Sequence, residues 1–124
     1  FLLRRRRYFA VADLLVAARG RLAAMYAEHG VELHRRQPGF LTGTNIPPCI
    51  AIITCVLDAL LAAAQGVKNY GLELAQTLHL VQDAAAISAC GELVQEYLVA
   101  HGHPDVFTSV TSNWVPTPES LSMR

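Results

Sequence analysis

Three β-prone segments begin near Val31, Val67 and Asp105, recurring every 36 to 38 residues, and a helical pattern fills each gap. This recurrence constrains the fold more than any other feature. Strand, helix, strand, helix, strand requires parallel pairing, because parallel neighbours need a crossover long enough to hold a helix. Two architectures satisfy that order, a doubly wound sheet and a (β/α) barrel, and both place functional residues in the loops that follow the strands. Arg35 to Asn45, Tyr70 to Gln76 and Thr111 to Trp114 are therefore expected to share one rim. Three parallel strands alone leave two exposed edges, so the missing strands are expected to belong to a larger parent.

The helices are legible from apolar spacing. Val11, Leu14, Leu15, Ala18, Leu22, Met25 and Tyr26 recur at steps of three and four, predicting an amphipathic helix over Val11 to His29 that Gly30 ends. Ile46-Pro47-Pro48 opens a second helix with Thr44 or Asn45 placed to cap it, and Gly66 stops it. Its residues Cys49 to Ala64 are apolar nearly all round, which predicts neighbours on two faces. A third helix is predicted over Thr77 to Ala100, with Leu80, Ala84, Ile87, Leu93, Val94, Tyr97 and Leu98 inside and Asp83, Glu92, Gln95 and Glu96 outside. Gly91 weakens its middle unless it packs closely against a neighbour.

Composition narrows the classes of function. The 124 residues are 52% hydrophobic and 16% charged with a formal net charge of zero, which excludes disorder and provides no global field for nucleic acid or anionic lipid. The basic run Arg4 to Arg7 reads as a solvated terminus, and the start at Phe1 reads as truncated or processed. Asp13 and Arg19 interrupt any leader-like run, and Cys49 to Ala64 is too short for a bilayer and carries Thr54 and Asp58. Cys49, Cys55 and Cys90 form no C-x-x-C pair and read as reduced packing thiols of a soluble, cytoplasmic protein without a zinc site.

Neither a dinucleotide fingerprint, a phosphate-binding lysine loop, a G-x-S-x-G elbow nor H-E-x-x-H occurs. What the predicted rim offers is Arg35 and Arg36 after the first strand, a guanidinium fork suited to clamp a carboxylate. Strand alternation turns only one of the two inward, and a plain surface pair is the competing reading. Tyr70 is placed to hydrogen-bond a polar substrate or to serve as a half-buried structural tyrosine, and Glu73 to meet an ammonium group or to be a solvated carboxylate. His34, His79 and His103 have no metal-ligand spacing, and Asp58 reads as an outward or helix-paired carboxylate.

The segments FLTGTNIPP, LLAAAQGVKNYGLELAQTLHLVQDAAA and DVFTSVTSNW, in this order, resemble the large (epsilon) subunit of glutamate mutase, the adenosylcobalamin-dependent methylaspartate mutase, over Leu22 to Trp114. The resemblance implies a partial (β/α)8 barrel of the TIM type, spanning residues 1–114 with about three parallel strands, followed by an irregular tail over 115–124. It also implies interconversion of L-glutamate and threo-3-methylaspartate by a radical rearrangement in which the cofactor does the difficult chemistry. Arg36 and Tyr70 are the implied substrate-binding residues; no catalytic or metal-binding residue is implied. The chain lacks D-x-H-x-x-G, consistent with the family's separate small cobalamin-binding subunit as partner. Ala64 and Leu74 depart from the family pattern, and Trp114 is followed by Val115-Pro116-Thr117-Pro118. A fragment inactive alone is therefore expected, with a non-enzymatic, self-associating scaffold as the alternative.

Overall fold

The computed structural model describes residues 17–37 and 46–113. The basic run, the proposed caps Thr44 and Asn45, the rest of the L-T-G-T stretch (Leu41 to Gly43), Trp114 and the 115–124 tail lie outside the described residues. The elements run α1 (residues 17–28), β1 (His34–Gln37), α2 (Pro48–Ala64), β2 (Asn69–Ala75), α3 (Leu80–Ala100) and β3 (Phe107–Asn113). The strands form one parallel sheet in the order β1-β2-β3, as the strand-helix recurrence requires.

Each helix hands over to its strand through the same joint. Gly66 adopts φ +83°, where residues with a Cβ are disfavoured, and the Val67 N–H donates back to the Ala62 carbonyl at 3.1 Å. Gly30 and Gly102 repeat this at φ +71° and +84°, with Val31 and His103 donating to Tyr26 and Leu98. The residues after each glycine are spent climbing to the sheet. Val67 and Val106 close the lower end of the core at 2% and 4% exposure before any ladder forms. This explains one departure from the sequence reading: the strands start and end later than expected. His34-Arg35-Arg36-Gln37 is itself β1, and Tyr70 to Ala75 and Thr111 to Asn113 are strand residues, not loop residues. Alternation therefore acts directly on the candidate side chains.

Proline at the first turn opens α2, because the missing N–H is not needed there; Pro47 precedes it without a side-chain cap. The helix buries Ala51, Ile52, Cys55, Val56, Ala59, Ala62 and Ala63. Its opposite face exposes Ile50, Ile53, Leu57 and Leu61, so of the two covered faces expected, one is covered among the described residues. α3 starts three residues later than predicted. The Thr77 N–H and hydroxyl donate to the Asp83 carboxylate, the His79 ring accepts from the Gln82 N–H at 3.3 Å, and Leu78 between them sits at φ +66°. These bonds from Thr77 hold the Asp83 carboxyl below its ordinary range.

The inner stripe of α3 is Cys90, Val94 and Leu98 with Ile87 beside them. Leu80 is 83% exposed, and Leu93 and Tyr97 lie on the flank, because a stripe following 3.6-residue periodicity cannot include every apolar position. Tyr70, Leu72 and Leu74 from β2 complete the core against α2 and α3. Fully burying an aliphatic side chain such as Leu72 stabilises by about 1.5–3 kcal/mol. Cys55 and Cys90 meet within this core as free thiols, and hydrogen bonding and burial push the Cys55 thiol up; Cys49 is exposed and does not pack. Among the described residues no helix is long and apolar enough to cross a membrane.

Candidate functional site

Parallel pairing sets Arg35 beside Tyr70 and Thr108, and Arg36 beside Gly71 and Ser109. Side chains at paired positions share a face, so two adjacent arginines open onto opposite sides of the sheet. The Arg35 face is the one packed under the helices, since Tyr70, Leu72 and Leu74 lie on it. No described helix packs against the Arg36 face.

On that open face the side chains form one connected set. Glu73 is 8% exposed, and its carboxylate takes both the Arg36 Nε–H, as an ion pair, and the Asn113 amide N–H. The Arg36 Nη2 donates to Thr111 Oγ1 at 3.0 Å, and that hydroxyl donates to the Leu72 carbonyl at 3.3 Å. Gly71 makes the arrangement possible: a Cβ there would meet Arg36 Cγ at 3.2 Å and His34 Nε2 at 3.3 Å, so the bare position lets the arginine stem cross the sheet. Arg36 is held on one edge and remains 55% exposed, with its Nη1 group without a bonded partner among the described residues. A guanidinium held in this way offers its terminal fork to a carboxylate.

Tyr70 is placed differently. Its side chain is completely buried on the helix side, its hydroxyl has no hydrogen-bond partner among the described residues, and the Arg35 guanidinium lies 5.6 Å from its ring centroid. Burial pushes its hydroxyl up to about 12, with the nearby Asp58 charge adding to the effect and Arg35 and Arg19 opposing it. Burial likewise raises the Asp58 carboxyl, against the pull of Arg35 and Arg19. Asp58 is thus the half-buried member of a polar group under the helices. The structure does not bring Arg36 and Tyr70 together.

Glu73 is neither a solvated loop carboxylate nor a rim residue but the buried hub of the open face. Asn113 and Thr111 belong to the same set; the sequence placed them on the expected rim, Thr111 to Trp114, but did not single them out. Their signal lay in the register, which aligns Glu73 with Thr111 and Ala75 with Asn113. At the ends of β2 and β3, on the helix side, a separate small cleft is lined mainly by Ile46, Pro48, Ala51, Leu74 and Ala86, with Asp83 already engaged by Thr77. Among the described residues no three His, Cys, Asp or Glu side chains gather to hold a metal ion.

Comparison with known proteins places these elements in a wider setting. The family model described as the methylaspartate mutase E chain matches residues 14–120. The chain is 39% identical to the glutamate mutase epsilon subunit of Treponema denticola over 104 residues, covering 81% of the chain and 21% of that protein. It is 41% identical to the epsilon subunit of Escherichia coli O157:H7 over 96 residues, and 42% identical to that of Halobacterium salinarum over 97, each match covering 77% of the chain. The chain spans about a fifth of the length of these curated relatives.

Proposed function

The chain belongs to the methylaspartate mutase E chain family, and from that premise we propose that it supplies consecutive β/α units of a barrel mutase, with Arg36 gripping a substrate carboxylate. The observation that supports this reading is the segregation of the two sheet faces. Crossover helices confined to one face leave the other as the lining of a closed barrel, and that is where Arg36, Glu73, Thr111 and Asn113 meet. The reaction assigned is the interconversion of L-glutamate and threo-3-methylaspartate. Arg36 binds and orients, Glu73 and Thr111 hold Arg36, and the sheet behind them excludes water. Tyr70 is assigned a packing role behind the site, since a ring closed off on the helix side reaches no ligand on the open face.

Adenosylcobalamin is the cofactor this reading requires, and it supplies the radical initiation when bound. The described residues do not build a seat for it: the cleft at the strand ends is small and mostly apolar. The cofactor is accordingly assigned to the small cobalamin-binding partner subunit, in a cytoplasmic assembly, and this chain alone is expected to be inactive.

The test is a chimera in which these residues replace the matching segment of the Treponema denticola epsilon subunit, assayed with small subunit and cofactor. Turnover of L-glutamate is expected, and Arg36→Ala should lower kcat/KM by roughly a hundredfold. A folded chimera without turnover, or one indifferent to Arg36→Ala, would sink the reading. A second reading, a non-enzymatic scaffold that self-associates, is favoured by the exposed stripe Ile50, Ile53, Leu57 and Leu61 on α2. It predicts a well-folded homo-oligomer by light scattering, dispersed by Leu57→Lys.

A further inference from the structure

We propose that Glu73 sets the charge selectivity of the Arg36 site, so that the open face takes singly charged carboxylate groups in preference to dianions. This rests on the reading of Arg36 as an anion-gripping residue. An isolated guanidinium attracts any anion, and attracts a doubly charged one most. Arg36 is not isolated. The Glu73 carboxylate sits against its Nε–H and is itself buried beside Asn113, so the pair presents a donor fork with little net charge.

An anion reaching the Nη1 end of Arg36, which has no bonded partner among the described residues, feels the pull of one charge and the push of another only slightly farther away. What remains is the directional part, two parallel hydrogen bonds, which a planar carboxylate satisfies. A dianion gains no more from those bonds, and it meets twice the repulsion from Glu73. Of the other polar groups on this face, Thr111 and Asn113 are neutral, His34 lies across Gly71, and the Glu32 carboxylate is engaged by the Asn69 amide four strand residues from Glu73. Glu73 is thus a positioning and specificity residue that needs no contact with the ligand.

The experiment follows the Arg36 side-chain resonances and the Thr111 amide by NMR in the full chain. It titrates sodium acetate or sodium sulfate at matched ionic strength and above the histidine titration range. In the unmodified chain sulfate should bind no more tightly than acetate. In Glu73→Gln, which keeps an acceptor for the Nε–H but removes the charge, both anions should tighten, with sulfate gaining roughly tenfold over acetate. Asn113→Ala, which leaves the charge in place, should leave the ratio unchanged.

A preference for sulfate in the unmodified chain, or an unchanged ratio in Glu73→Gln, overturns the assignment of Glu73. The first of these decides the matter even if the variant does not fold. An acetate response that survives Arg36→Ala removes the Arg36 reading itself, and this proposal with it. A response that Arg36→Ala abolishes, together with an unchanged Glu73→Gln ratio, removes only the proposal.

Discussion

The two faces of the β-sheet are built from the same three strands and differ in almost every physical respect. Under the helices, Tyr70, Leu72 and Leu74 are sealed against Val94, Leu98 and the alanines of α2, and the one polar side-chain atom β2 contributes there, the Tyr70 hydroxyl, has no partner among the described residues. On the other side, Glu73 is nearly as buried but is paired twice, and its partners Arg36 and Asn113 are exposed. The first face is held by apolar packing. The second buries a carboxylate only because charge and hydrogen bonds compensate. Their glycines show the same contrast: a Cβ at Gly71 would press on Arg36 and His34, whereas one at Gly91 would meet Val110 Cγ2 at an ordinary 3.8 Å.

The strongest test of this division is Leu98→Ala, which leaves a cavity in the sealed core and should cost about 2–5 kcal/mol by denaturant unfolding. Ser109→Ala on the open face should cost far less, and equal losses would erase the distinction. Next in size is Tyr70. Tyr70→Phe removes a buried hydroxyl that has no partner among the described residues and is expected to be neutral or stabilising by up to about 1 kcal/mol; a clear loss of stability would reveal a partner outside them.

The same hydroxyl gives the helix side a pH signature. Its folded pKa of about 12 lies above the ordinary tyrosine value of 10, so its contribution is complete below the ordinary value and is lost as pH rises through the folded one. Alkaline unfolding should therefore steepen in that window, and Tyr70→Phe should flatten it.

Smaller still, Gly91→Ala should stabilise α3 by about 0.5–1 kcal/mol, read from the thermal midpoint, because the extra methyl finds room and the helix loses a flexible residue. A loss would mean that α3 lies closer to β3 than the 3.8 Å contact implies. The smallest effect is expected at Asp58. Burial raises its folded pKa, so the protonated form is favoured and the ionised form carries a cost that appears as pH rises. Asp58→Asn should be slightly more stable than the parent chain near neutral pH, with the gain vanishing as pH falls below the carboxylate range. A gain that grew toward acid pH would contradict the sign.

The order of elements, the parallel pairing and the glycine stops after the first two helices were all legible in the sequence. They depend on local properties: apolar spacing, the freedom of Gly30 and Gly66 at positive φ, and the tolerance of proline in a first turn. The family was legible too, in segments long enough to be specific. The inner stripe of α3 was only partly visible, since Leu80 and Leu93 look as apolar as Val94 and only the neighbouring elements decide which are covered.

The candidate site divides the same way. The sequence by itself pointed to a guanidinium near the end of the first strand and warned that only one of Arg35 and Arg36 would face inward. The tertiary structure decided which. Because alternation has a period of two, packing Tyr70 under the helices fixes its partner Arg35 on that face and leaves Arg36 on the other. Strand pairing and helix packing together put Arg36 on the open face and Tyr70 beneath the helices, and joined Glu73 to Asn113 across a register that no local pattern encodes.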